Sequence, residues 1–476
     1  MEYELILKFL PGFYTVFHFL SLLAAVHAGL TVRTSQGAVA WVVSLVAFPP
    51  IALPLYLAFG RSRFHGYIET LSVINTKNEN SLLKLLAPVA KHMVAVSETK
   101  LEYFDRLTHF SAFQNNSVEL LVDGEDTFDA IFEAIDKAEK YILIEFFIIR
   151  SDATGNKLKE HLTAKAEQGV KIFFLYDEVG SRKLDGSYIV QMLDCGINIL
   201  PFWTTRGIRN RFQINFRNHR KIVVVDGRTA FIGGHNVGDE YVGKSKKFGH
   251  WRDTHVKIQG PSVQSVQLTF VEDWYWSAQD KPDVKLVSEP VSAGNMNTIV
   301  LPSGPAPKLE VCSLMFVQLI NMAKKRLWIA SPYFVPNQAI VAALQLAAIR
   351  GVDIRILLPL KPDHLLVYLA SFSYFYRMSF PNIRFFRYTD GFMHQKVVLV
   401  DNDLALVGTA NFDKRSFYLN FEVGILVNDM NFADDVEKML EADLLKSCES
   451  GIKDYEKKSW IFKLGVRLSH LFAPII

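Results

Sequence analysis

Two short constellations in the chain combine side chains that can handle a phosphoryl group. The first reads Asn218-His219-Arg220-Lys221-Ile222-Val223-Val224-Val225-Asp226 and continues through Gly233-Gly234-His235-Asn236. The second reads Met393-His394-Gln395-Lys396-Val397-Val398-Leu399-Val400-Asp401 and continues through Gly408-Thr409-Ala410-Asn411. Both obey H-x-K-x4-D followed by G-[GT]-x-N. One match is weak, because a chain this long would produce it by chance on the order of a few per cent of the time; two in register are strong. An imidazole can attack phosphorus or move a proton, an ammonium can hold a phosphoryl oxygen as a point charge, and an amide can donate to another. His219, Lys221, Asp226, His394, Lys396 and Asp401 are therefore the candidate catalytic set, with Asn236 and Asn411 as candidate substrate-binding residues.

The spacing predicts a strand running from each motif to a polar turn, Asp226-Gly227-Arg228 or Asp401-Asn402-Asp403, with His and Lys on one face. A hairpin pairing Asp226 with Thr229 would set His219 opposite Asn236; pairing Asp401 with Leu404 would set His394 opposite Asn411. Both aspartates then lie at the turns, where they read as hairpin supports that pair across the halves. Downstream, Asp253 aligns with Glu422, so each half carries an acid that could orient its own histidine through the second ring nitrogen.

Around the motifs, residues from about 119 onward carry the same pattern twice. A helical pattern over 127–140 leads into the apolar strand 141–147, and a second helix leads to 169–175; in the other half, 315–325 leads into 327–330, and another helix reaches 351–358. Continuous apolar strands alternating with helices predict an α/β fold of two homologous units packed as a pseudo-two-fold pair, 119–290 and 291–450.

The composition permits this and excludes much else. Of 476 residues, 50% are hydrophobic and 21% charged, which rules out a disordered or collagenous chain, and a net charge of +3 is too small to argue for nucleic acid. Cys195, Cys312 and Cys448 are scattered and form no C-x-x-C pair, so neither a disulfide framework nor a zinc site is expected.

The first 60 residues differ from the rest. Two uncharged apolar runs, 9–32 and 38–59, flank the turn Arg33-Thr34-Ser35-Gln36-Gly37 and predict a hairpin of two transmembrane helices. Glu2, Glu4 and the second run speak against a cleaved signal peptide. Arg61, Arg63, Lys77 and Lys84 follow the second run while the turn carries only Arg33, which predicts a cytoplasmic catalytic part and cytoplasmic termini. Residues 61–118 read as a juxtamembrane connector without assignable chemistry. The basic run Arg206, Arg209, Arg211, Arg217 and Arg220 suits either an anionic headgroup or a solvated loop, and the segment 451–476 suits either an interfacial helix or one docked on the core.

With these residues in place the chain resembles the phospholipase D superfamily, and within it the bacterial cardiolipin synthases, over essentially its whole length. The resemblance rests on the two motifs, on Leu55-Tyr56-Leu57-Ala58-Phe59-Gly60-Arg61, and on the run from Val407 to Glu422. It implies a multi-pass protein of the bacterial inner membrane whose partners are phosphatidylglycerol and an anionic bilayer, not nucleic acid; it sets no oligomeric state. It implies phosphatidyl transfer between two phosphatidylglycerol molecules, giving cardiolipin and glycerol without metal or cofactor, with His219 as nucleophile and His394 as acid and base. A membrane phospholipase D releasing phosphatidic acid shares the covalent intermediate, and a nuclease of the same superfamily shares the motifs; both stay open from the residues alone.

Overall fold

A computed structural model describes residues 2–61, 63–77, 87–94, 100–108, 110–207, 210, 213–283 and 293–471. The strands of the first unit are β1 (Phe113–Val122), β2 (Tyr141–Phe146), β3 (Lys171–Asp177), β4 (Asn198–Phe202), β5 (Arg217–Asn218), β6 (Ile222–Val225), β7 (Thr229–Gly233), β8 (Trp251–Arg252) and β9 (Thr254–Gln259). Those of the second are β10 (Met296–Ser303), β11 (Arg326–Ala330), β12 (Phe334–Val335), β13 (Asp353–Pro359), β14 (Ile383–Tyr388), β15 (Phe392–Met393), β16 (Val397–Val400), β17 (Leu404–Gly408), β18 (Phe412–Asp413), β19 (Asn420–Asn428) and β20 (Ser447–Ser450).

One mixed sheet joins the units in the order β20-β14-β13-β11-β16-β17-β19-β10-β1-β9-β7-β6-β2-β3-β4. Outward from the antiparallel β1–β10 junction the two sides are built alike: β9, β7, β6, β2, β3, β4 on one and β19, β17, β16, β11, β13, β14 on the other. In each, three outer strands run parallel, as helical crossovers require, and the motif hairpin lies antiparallel beside them. Runs such as Ile142-Leu143-Ile144 are buried because helices cover both faces. The duplicated α/β architecture expected from the sequence is the one observed.

The hairpin register is not the expected one. Val225 pairs with Thr229, and Val400 with Leu404, so each turn takes three residues and begins at an aspartate with positive φ, 53° at Asp226 and 51° at Asp401. Regular pairing ends at Ile222–Ile232 and Val397–Val407, short of the motif histidines, so His219 does not face Asn236 across a ladder, nor His394 Asn411. A turn one residue longer than assumed shifts every pair by one.

The membrane end also differs from expectation. α1 (Glu2–Thr31) contains the one helical stretch among the described residues that is long and apolar enough to cross a bilayer, Tyr14–Thr31. The second apolar run is instead divided into α2 (Ser35–Ala47) and α3 (Pro49–Phe59), because Pro49 and Pro50 lack the N–H groups that would continue α2. Trp41 and Tyr56 would lie about 22 Å apart on one continuous helix, yet their rings are 5.2 Å apart. α3 therefore folds back along α2, and both pack on α1 through Ala25, Ala28, Leu45, Ala52 and Leu53.

At the other end, the helix Trp460–Leu471 docks on the helix Leu365–Phe372 through Phe462 and Val466 while Trp460, Ile461, Leu464 and Leu468 remain exposed. The docked arrangement is the one observed, and the outer face of the helix is left apolar and exposed. The three cysteines are free.

Candidate active site

Each motif histidine sits just before its hairpin and is held from the opposite unit. β5 pairs in parallel with the start of β19, and the His219 N–H donates to the Phe421 carbonyl at 2.9 Å; β15 pairs in parallel with β8, and the His394 N–H donates to the Arg252 carbonyl at 2.7 Å. The side chains cross over in the same way. His219 Nδ1 lies 2.8 Å from Glu422 Oε2, and His394 Nδ1 lies 2.7 Å from Asp253 Oδ2. The acids expected to orient their own half's histidine thus orient the other half's, because the pseudo-two-fold places each β-strand carrying an acid against the partner motif. With Nδ1 engaged, Nε2 is the nitrogen each ring offers to a substrate.

The lysines complete the centre. Lys221 Nζ donates to the His219 carbonyl at 2.7 Å. Lys396 Nζ donates to the His394 carbonyl and stands 3.9 Å from Asp253 Oδ2. It also lies 2.7 Å from His394 Nδ1, but an Nδ1–H that donates to Asp253 cannot accept a proton as well. Lys221 is fully buried and Lys396 nearly so. Burial lowers Lys221 to about 7, with the Lys396 charge adding to the effect, and lowers Lys396 to about 8 against the pull of Asp253 and Glu422. Burial likewise brings both imidazoles down to about 4, Glu422 opposing at His219 and Lys396 reinforcing at His394. Burial alone would raise the two acids, but Lys396 and His394 hold Asp253 well below the carboxylate range, and His219 and Lys221 lower Glu422. The centre thus gathers two buried lysines, two neutral imidazoles and two ionised carboxylates out of water, and because burial lowers the lysines, an anion bound beside them would favour their charged form.

Asp226 and Asp401 are not part of it. Asp226 accepts from the backbone N–H groups of Glu139, Lys140 and Tyr141 at 2.8–2.9 Å, and Asp401 from those of Lys324, Lys325 and Arg326. Each fixes the chain entering the neighbouring strand of its own unit, at the end of the hairpin away from the histidine. They neither reach the centre nor pair across the halves.

The asparagines differ from each other. Asn236 Oδ1 accepts from the Ile148 N–H at 3.1 Å, whereas Asn411 Oδ1 is buried without a protein donor. Among the described residues neither amide bonds a motif histidine. Of the basic run, Arg209 and Arg211 lie outside the described residues. Arg206 donates to the Trp276 and Ser277 carbonyls, and Arg220 is buried against Asp273 at 2.6 Å, so these two serve the structure. Sequence reasoning missed the latter network: Asp273 also accepts from Asn218 and, at 2.6 Å, from the hydroxyl of Tyr67 in the connector. The only signal was the acidic pair Glu272-Asp273 within the otherwise uncharged helix Val263–Ala278.

The chain has counterparts among known proteins. A family model described as cardiolipin synthase, PLD-like domain, matches residues 131–274 and 316–444, one match per unit. The chain is 47% identical over 464 residues to cardiolipin synthase A of Pseudomonas fluorescens strain Pf-5, covering 96% of this chain and 97% of that one. The chain belongs to this family. Cardiolipin synthase A of Pseudomonas aeruginosa strain LESB58 is 46% identical, covering 96% of this chain and 94% of that one. Among solved structures, phosphatidylserine synthase from Haemophilus influenzae Rd KW20 has the same fold, with a TM-score of 0.60 at 16% identity over 78% of this chain and all of that one. Membership of the cardiolipin synthase family thus covers both motif-bearing units.

Proposed function

We propose that the protein is a cardiolipin synthase that transfers a phosphatidyl group from one phosphatidylglycerol to the headgroup hydroxyl of another. The observation that carries this is the crossed centre, two histidines and two buried lysines drawn from both units of a chain in the cardiolipin synthase family. His394 enters as the imidazolium, taking up a proton on Nε2 when the anionic phosphodiester binds beside it, with Asp253 on Nδ1 balancing the charge. His219 Nε2 attacks the donor phosphorus and the bond to the departing glycerol breaks, with His394 Nε2–H giving that oxygen its proton. The phosphatidyl group is then held on His219. His394 takes the proton of the incoming hydroxyl, the new P–O bond forms, and the P–N bond breaks. Lys221 and Lys396 neutralise the phosphoryl oxygens as charge builds, and Asn411 Oδ1, buried without a protein donor, would accept a hydrogen from substrate. The division of labour between the histidines rests on the resemblance, since the two are oriented alike.

Glu422 and Asp253 act through the histidines, fixing the tautomer and stabilising the imidazolium. Asp226 and Asp401 are positioning residues. The body works at the cytoplasmic face of a bacterial inner membrane: Arg61 and Arg63 follow the apolar segment directly. Phosphatidylglycerol in an anionic bilayer is the substrate source.

The test is lipid turnover by detergent-solubilised protein given labelled phosphatidylglycerol. Cardiolipin formed with release of glycerol, and lost by at least about 10³-fold in both His219→Ala and His394→Ala, is expected. Phosphatidic acid as the main product would make the protein a hydrolase, and activity surviving both substitutions would remove the assignment.

A further inference from the structure

The helices α1–α3 have an arrangement that a two-span hairpin cannot have. In such a hairpin the turn at Arg33 and the exit at Arg61 lie on opposite sides of the bilayer. Here both ends of the intervening run are fastened to the same body. Arg33 Nη1 is 3.4 Å from Glu310 Oε1, and its guanidinium lies 4.7 Å from the Tyr418 ring centre. At the other end, the Phe59 carbonyl accepts from Asn215 Nδ2 at 3.1 Å, the Leu57 carbonyl from Gln213, and the Ala58 carbonyl from the Ile214 N–H.

The lengths agree with this. α2 and α3 have 13 and 11 residues, about 20 and about 16 Å at about 1.5 Å per residue, against a hydrocarbon core of about 30 Å. Neither crosses. They meet at Phe48, at the opposite end from both fastenings, and the His27–Tyr56 side-chain contact and the bond from the Ser21 hydroxyl to the Leu45 carbonyl, both 2.7 Å, place the folded pair alongside the last part of α1. Val39, Val43, Val46, Phe48, Ile51 and Leu55 are 46–66% exposed on this pair. An apolar surface of this kind, continuous with a helix that can span, suits acyl chains and not water.

We propose that α2–α3 is a re-entrant wedge seated in the leaflet next to the catalytic body, and that α1 is the single crossing, so that the N-terminus and the body lie on opposite sides. The occupant of the exposed face is lipid hydrocarbon. The charges agree: Arg33, Arg61 and Arg63 all fall on the side of the body, while the far side has Lys8 accompanied by Glu2 and Glu4. With one crossing the positive-inside rule is obeyed more fully than with two. The wedge's open end is also the place where residues 213–215, which lead directly into the strand before His219, are clamped. The leaflet and the first motif are thereby joined by a few residues of backbone. This inference rests on the membrane-bound synthase reading.

The experiment places single cysteines in the full-length chain carrying Cys195→Ser, Cys312→Ser and Cys448→Ser. One is added ahead of Met1 and the other is Ser35→Cys, at an exposed position. Spheroplasts are treated with a membrane-impermeant maleimide before and after permeabilisation. Labelling of the N-terminal cysteine in intact spheroplasts, with Ser35→Cys labelled only after permeabilisation, is expected. The reverse pattern is what two crossings require and would overturn the proposal, as would protection of both positions. Protease removal of an N-terminal epitope from the otherwise native chain in intact spheroplasts repeats the test without the cysteine replacements; an epitope that stays protected overturns it. Cardiolipin formation by the same membranes separates the two readings. The expected labelling without cardiolipin would sink the synthase and leave the topology, and reversed labelling with cardiolipin would do the opposite.

Discussion

The two motifs are copies, but the supports beneath them have diverged. Glu422, which orients His219, also accepts from the hydroxyls of Thr409 and Ser416 at 2.6 and 2.9 Å and from the Asn420 amide at 3.1 Å. Asp253, which orients His394, accepts from the Thr254 N–H at 2.9 Å and faces Lys396. The position after the first motif glycine explains the difference: it is Thr409 in the second unit, and Gly234 in the first, where a Cβ would stand 1.9 Å from Asp253 Oδ1. Neutral side-chain donors surround Glu422, whereas Asp253 has one backbone donor, a lysine at 3.9 Å and close packing against Gly234. The middle motif residue diverges too: Arg220 pairs with Asp273, while Gln395 donates to Asp443, whose cationic partner, Arg252, comes from the other unit. Duplication kept the geometry of the reacting groups and let each half find its own way of fixing it.

The largest expected effects break the carboxylate–imidazole pairs. Asp253→Asn and Glu422→Gln should each lower kcat by on the order of 10²–10⁴, with the wrong tautomer as the cause. Asp253→Asn should be the more damaging, because the one oxygen kept in Glu422→Gln can still accept from Ser416 and Asn420 whereas Asp253→Asn also uncouples Lys396. Equal losses, measured by steady-state kinetics in mixed micelles, would erase the distinction between the two supports.

The glycine–threonine difference gives a second and smaller contrast. Gly234→Ala should approach the loss expected for Asp253→Asn, since the three atoms nearest the added methyl all belong to the Asp253 carboxylate. Thr409→Val removes one hydrogen bond to a charged acceptor, about 1.5 kcal/mol, and should cost about tenfold in kcat. If Gly234→Ala were the milder of the two, close packing would not be what holds Asp253.

The lysines sharpen the comparison through pH. Lys221 titrates at about 7 and Lys396 at about 8 in the free protein, so each carries its charge below that value and loses it above. Phosphate binding needs the charge, hence kcat/KM should fall as pH rises through about 7–8, while kcat, read on a centre already holding a phosphate anion, should persist to higher pH. Lys221→Arg stays charged throughout, so its alkaline limb should move up to the value set by Lys396. An unmoved limb would show that Lys221 does not set it.

Much of this was legible in the sequence because local patterns encode it. The apolar strands such as Ile142-Leu143-Ile144, their alternation with helices, and the repeated H-x-K-x4-D spacing read out the duplicated α/β fold and the reacting side chains. Facts set by tertiary pairing did not read out. Asp253 and Glu422 were picked as orienting acids, but which histidine each serves depends on the pseudo-two-fold that brings β8 and β19 against the opposite motifs. The hairpin register turned on one extra turn residue at positive φ. The fold-back at Phe48 had a visible cause, Pro49-Pro50, but a proline pair marks where a helix breaks and not the direction in which the chain leaves. Tyr67 belongs to neither repeat, so no alignment of the halves could point to it.

The smallest effect on chemistry is expected where the motif letters and the active centre part company. Asp226 and Asp401 complete the sequence signature, yet each spends its carboxylate on backbone N–H groups of its own unit. Asp226→Ala would leave those donors without their acceptor and force alanine to keep a φ of 53°, a combined cost of about 2–3 kcal/mol. The expected result is a thermal melt lowered by several degrees in detergent, with kcat per folded molecule and the pH profile unchanged. Asp401→Ala should behave the same way, because its three backbone donors and its φ match. A tenfold fall in kcat at full folding for either one would return that aspartate to the catalytic set, and a fall for one alone would mean that the halves have diverged at their turns as well as beneath their carboxylates.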